Sequence, residues 1–232
     1  MRRWFCCVSG EPDSGMHEMT AFDASAMTYS EKILFFAANG NAASFAYERL
    51  QLHLAAARMQ MDRIVLAVNA LRHAQQEPPS EATHEQVRIF VRNARQRMQL
   101  VLTEVHFYFV CWSGCRNMLQ ILVGQPEFLE AKKVFDGYRK EFEHYVAGRN
   151  SFEHFHDRLP GQSEEGRVKA VQSDSAGPRR IYAGISSGKY VHSSMQWDIT
   201  PSSLDILQKC IEDVLAIVHL TVDEKFQQRR AS

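Results

Sequence analysis

Two adjacent prolines, Pro78-Pro79, constrain this chain more than any other pair of residues. A proline inside a helix lacks an amide hydrogen and its ring clashes with the preceding turn. The long helical-period run "AASFAYERLQLHLAAARMQMDRIVLAVNALRHAQQ" therefore has to end there. A second run starts almost at once, where Thr83 and Gln86 form a capping box, each side chain satisfying an orphan amide of the first turn. It extends to about Val123, with Ser113-Gly114 as a place to bend and Gly124 to close it. Two long helices in succession set the class of the fold.

The remaining segments agree with that class. Thr28 and Glu31 make another capping box ahead of "SEKILFFAA", which Asn39-Gly40-Asn41 ends. Pro126 suits the first position of the next helix, predicted to run through "PEFLEAKKVFDGYRKEFEHYVAGRNSFEHFHDRL" and stop before Pro160-Gly161. A polar stretch follows, and β-prone runs on either side of Ser187-Gly188 predict a hairpin at about 179–198. Thr200 as a cap and Pro201 in the first turn open a last helix, whose Leu204, Leu207, Ile211, Val214 and Val218 share one face. The expectation is an all-α, four- to five-helix bundle with a small β-hairpin inserted before the last helix. It would form a single domain over 28–232, preceded by a flexible leader at 1–27. No internal repeat is evident.

Hydrophobic residues make up 45% of the 232, enough for a core, and 27 basic residues balance 27 acidic ones. Any contact with nucleic acid then has to come from a local patch. Five unevenly spaced cysteines argue against a disulfide framework and for the reducing cytoplasm. The start "MRRWFCCVSG" is too short in apolar residues for a signal-peptide core. "VLTEVHFYFVCWSGCRNMLQILV" is broken by Glu104, His106 and Arg116, so it reads as a buried helix and predicts no membrane span.

The chemistry concentrates in "AGRNSFEHFHDRLPG", residues 147–161. On a wheel of about 100° per residue, Val134, Phe135, Tyr138, Phe142, Tyr145 and Val146 fall on one line. Extending that line meets Arg149, Glu153 and His156, with Asn150, His154 and Asp157 on its flank, unless Gly148 kinks the helix. Polar groups on a packing face carry a desolvation cost that calls for a reason. One reason is structural: Phe152, Phe155 and Leu159 take over packing, Arg149 pairs with Glu153, and the histidines face water. The other is a cleft that handles a phosphate ester. RNA cleavage needs a base for the 2′-hydroxyl, a cation for the phosphorane and an acid for the leaving oxygen, and histidine and arginine supply all three without a metal.

Arg149 and His154 with four residues between them, the first of which is Asn150 ("RNSFEH"), resemble the signature of the HEPN superfamily (higher eukaryotes and prokaryotes nucleotide-binding), with His156 giving the longer spacing. The resemblance implies an all-α bundle acting as a metal-independent endoribonuclease on single-stranded RNA, of toxin or defence type. It implies no cofactor, a homodimer whose motifs meet across the interface, and a cognate inhibitor protein as a further partner. Arg149 and His154 would be the catalytic pair, Asn150 the polar helper, and His156 and Glu153 further members of the cluster. The same spacing at Arg139 and His144 ("RKEFEH") lacks the Arg-Asn dipeptide. Phosphate-track residues would be Arg88, Arg92 and Arg95, a stripe at helical spacing, and Arg179, Arg180 and Lys189 in the basic segment that also holds Arg167 and Lys169. The plainer reading of both basic groups is a solvated face and a solvated loop. A non-catalytic dimeric helical interaction module is the alternative function.

Three other patterns carry less. "GISSGKY" has the outline of a phosphate-binding loop but one residue too few between its glycines and a tyrosine after the lysine, so it reads as a turn. Cys111 and Cys115 read as core. A metal site from Glu141, Glu143, His144, Glu153, His154 and His156 is disfavoured because His154 and His156 diverge by about 200° on a helix.

Overall fold

The computed structural model describes residues 27–74, 82–153, 183–192 and 195–231, and they form a mostly helical protein with one small sheet. Six α-helices stand among them: α1 (Tyr29–Phe36), α2 (Gly40–Ala74), α3 (His84–Val123), α4 (Leu129–Gly137), α5 (Arg139–Glu153) and α6 (Pro201–Ala231). A 3-10 turn at Pro126–Phe128 leads into α4. Strands β1 (Ala183–Ser186), β2 (Lys189–His192) and β3 (Met195–Asp198) form an antiparallel meander just before α6. No helix among the described residues is long and apolar enough to cross a membrane.

Both capping boxes are present. Thr28 accepts from the Glu31 amide while Glu31 reaches back to the cap, and Thr83 and Gln86 do the same for α3. α3 runs through Ser113 and Gly114 without a break, with Gly114 so close to α2 that a methyl group there would sit 2.5 Å from the His53 ring. The next helix does break. Tyr138, at φ −95° and ψ 9°, leaves the helical region after Gly137 and separates α4 from α5. Glycine resists helix, and the tyrosine hydroxyl is held by Asp213 on α6 at 2.5 Å, so tertiary contact overrides the continuous pattern.

The predicted hairpin is the first two strands of a three-stranded sheet. Ser187 and Gly188 both take positive φ, 49° and 76°, as a two-residue hairpin turn of the mirror-image type requires. β2 pairs with β3 so that Tyr190 lies beside Trp197. Alternation then turns Tyr190, His192 and Trp197 inward while Lys189 and Gln196 face water.

The core is centred on α3. Trp112 stacks on Tyr145 of α5 at 4.0 Å, and Phe109 meets Tyr145, Tyr190 and Trp197 edge-on or tilted. Cys111, Cys115 and Cys210 are buried in it, and burial pushes the Cys111 thiol up to about 11 and the Cys210 thiol to about 12, so none is a nucleophile at neutral pH. α6 buries Leu207, Ile211, Val214 and Val218 as its period predicts. Its entry is organised by Asp198: the carboxylate accepts from the Thr200 amide and hydroxyl and from the Ser202 hydroxyl. Partial burial opposes ionisation of Asp198, and these donors outweigh it and hold the carboxyl below its usual range.

Candidate functional site

α5 buries Phe142, Tyr145, Gly148 and Ser151, a line at i, i+3 spacing that runs against α3 and the sheet. Gly148 therefore does not kink the helix; it lets the helix approach. A Cβ there would lie 2.7 Å from the Phe109 ring and 3.1 Å from the Trp197 indole nitrogen. That indole uses the space to donate to the His144 carbonyl at 2.7 Å, tying β3 to the helix backbone one turn before the motif.

Arg149 sits at the rim of this contact, with its side chain 35% exposed. Its Nε donates to Glu153 at 2.7 Å and its Nη1 to the buried Ser113 hydroxyl of α3 at 3.2 Å. Asn150 is exposed beside it. Glu153 lies at the exposed edge of the helix instead of on the packed line, and Phe152 packs in its neighbourhood, stacked on Tyr190 at 4.6 Å and on His106 at 5.3 Å. The packed line thus passes through small residues, Gly148 and Ser151, and Arg149 flanks it. His154 and His156 lie outside the described residues, as do Arg179 and Arg180.

An exposed i,i+4 ion pair contributes only about 0.3–0.5 kcal/mol. The Arg149–Glu153 pair, about one-third exposed on each side, is weak enough for a phosphate to displace the carboxylate. Ser113 gives the guanidinium a fixed second point of attachment. The comparable Arg139 is spread along the surface against Glu143 at 2.6 Å. His144 has its ring against Trp197 and Tyr145, and burial lowers its pKa against the opposing effect of the hydrogen bond that its ring donates to the Gln196 backbone.

The other expected residues are not drawn to the same place. Arg88, Arg92 and Arg95 are exposed and border a shallow depression with Val87 and Val91, and Arg88 pairs with Glu85 at 3.0 Å. Ser113 lies eighteen positions beyond Arg95, about 27 Å along α3. Lys189 is exposed at the start of β2, opposite Asp198 in the ladder. Among the described residues no three histidine, cysteine or carboxylate side chains are grouped to hold a metal ion.

Sequence reasoning missed two partners. Ser113, which the sequence marks only as a place for α3 to bend, positions Arg149. Ser151 shares a buried 2.6 Å hydrogen bond with His192 Nδ1, which the inward alternation of "KYVH" could have suggested. No family model, no curated protein and no solved structure matches the chain.

Proposed function

We propose that the chain is a HEPN-like, metal-independent endoribonuclease acting on single-stranded RNA, with Arg149 as the phosphate-binding cation. The observation that carries the proposal is the anchoring of Arg149: a guanidinium about one-third exposed, braced by Ser113 and by a weak, displaceable pair with Glu153, next to exposed Asn150. Such a group binds a scissile phosphate and stabilises charge on the phosphorane, since its fork matches phosphate oxygens. His154, four residues beyond Asn150, takes or gives the proton at the 2′-hydroxyl or the leaving oxygen, and His156 is the second imidazole available for that role. Arg88, Arg92 and Arg95 serve as a track if the RNA runs along α3. Arg179, Arg180 and Lys189 are the second basic group. A nuclease of this kind in the cytoplasm needs restraint, which a cognate inhibitor protein would supply.

Purified protein should cut defined single-stranded RNA in the presence of EDTA and leave 2′,3′-cyclic phosphate ends. Arg149→Ala and His154→Ala should each lose about 100-fold or more, and RNA with a 2′-deoxy sugar at the cleavage point should resist. Full cleavage by Arg149→Ala would refute the assignment.

The closed Arg149–Glu153 pair also favours a second reading, in which α5 is a non-catalytic interaction surface and the pair fixes the register of a partner helix. Exchanging the two charges would then change assembly in a protein that never cuts RNA.

A further inference from the structure

α2 carries a face that the described residues leave uncovered. Its inner side, with Leu50, Leu54, Ala57, Met61 and Ile64, is buried in the core. Its outer side presents Phe45, Leu52, Met59 and Leu66, which are 52%, 58%, 58% and 69% exposed. Each is seven residues from the next, so they lie on one line that drifts by only about 20° per step. The line is about 32 Å long. Exposed apolar residues scattered singly need no explanation, but a heptad row of four large ones does.

The residues beside the row alternate small and charged side chains. One edge reads Glu48, Ala55, Asp62 and the other reads Arg49, Ala56, Arg63. Arg49 lies over the Phe45 ring at 5.1 Å. Among the described residues Arg49, Asp62 and Arg63 form no ion pair.

We propose that this face of α2 is a homodimer interface in which two copies pair their α2 helices in parallel about a two-fold axis. In a parallel pair the left edge of one helix meets the right edge of the other at the same height. Glu48 then faces Arg49 of the second copy and Asp62 faces Arg63 of the second copy. Ala55 faces Ala56, letting the axes approach, and the four large apolar residues stack on their own counterparts. An antiparallel pair in the register that matches the apolar row meets edge to like edge. It sets Arg49 against Arg63 and Glu48 against Asp62, each twice by symmetry, which makes four like-charge pairs in conflict. The seven-residue spacing further calls for a left-handed supercoil of the two helices. The proposal does not depend on RNA cleavage, and the interface is a different face from the Arg149 rim, where the motif resemblance places the subunit contact.

The test uses the full chain. Sedimentation should give a dimer, and Leu52→Glu and Met59→Glu should each give a monomer with an unchanged helical circular-dichroism spectrum. Arg63→Glu should raise the dissociation constant at least about tenfold, and Asp62→Arg combined with Arg63→Glu should restore it. With Cys6 and Cys7 replaced by serine, Leu66→Cys should form a disulfide-linked dimer, because a parallel pair brings the two copies of residue 66 together and an antiparallel pair holds them about 32 Å apart. A monomeric wild type, a dimer indifferent to Leu52→Glu, or cross-linking through Ala56→Cys without cross-linking through Leu66→Cys overturns the proposal.

Discussion

From Val101 onward, α3 buries Val101, Val105, Tyr108, Phe109, Trp112, Cys115, Leu119 and Leu122 against α2, α5, α6 and the sheet. From His84 to Leu100 the same unbroken helix has no buried residue: Phe90, Ala94 and Met98 are half-covered and the rest are exposed. Both halves have helix-forming sequence and an apolar period, and the difference lies in what surrounds them. Helical period and capping are enough to shape a helix that leans on a single neighbour. A rigid site needs the enclosure that the second half receives from several elements. Arg149 reaches Ser113 in the enclosed half, and the Arg88–Arg95 stripe lies on the open one.

The largest expected contrast is between two aromatic truncations. Trp112→Ala should cost about 3–5 kcal/mol, since it empties a fully enclosed site, and Phe90→Ala about 1 kcal/mol or less. Urea unfolding of the two variants checks this, and equal costs would erase the distinction between the halves. Gly148→Ala should come next, at about 1–3 kcal/mol, because the new methyl meets the Phe109 ring and the Trp197 indole, neither of which has room to retreat. In RNA-cleavage assays it should also lower activity by shifting Arg149 away from Ser113.

Thr83→Ala should cost about 1 kcal/mol of helix capping. Hydrogen exchange should show that loss in the first turns of α3, with little change at the amides around Trp112; a uniform change along the helix would mean that the two halves unfold together. The smallest effect is titration. His53, His144 and His219 all have pKa values lowered chiefly by burial. The unfolded chain, with histidines near 6.5, roughly the free value, binds more protons in that range. The histidine contribution to stability is therefore complete above about pH 6.5 and falls as pH drops from there toward the lowered folded values. Global unfolding between pH 7 and 5 should register the fall. Exchange at 84–100, where none of the three histidines lies, should not.

The parts of the fold that were legible in the sequence are those governed by neighbouring residues. Thr28, Thr83 and the apolar face of α6 act within one or two turns, and a local pattern is all they require. The break at Tyr138 was not legible because its cause is Asp213, on another helix. The third strand was hidden because "KYVHSSMQWDI" reads as one β-prone run, and its division depends on Trp197 docking against Phe109. At the candidate site, the pairing of Arg149 with Glu153 follows from helical spacing alone. The burial line was misjudged because a wheel weights residues by hydrophobicity, whereas close helix packing selects Gly148 and Ser151 for their size.

The Ser151–His192 hydrogen bond joins the last full turn of α5 to β2 and, because His192 pairs with Ala183, to the start of β1 as well. The joint between helix and sheet is therefore held by a contact that no run of neighbouring residues supplies, and the end of α5 should part from β2 only when that contact opens. Ser151→Ala should weaken it by about 1–3 kcal/mol, read as faster hydrogen exchange at the end of α5 and along β1 and β2.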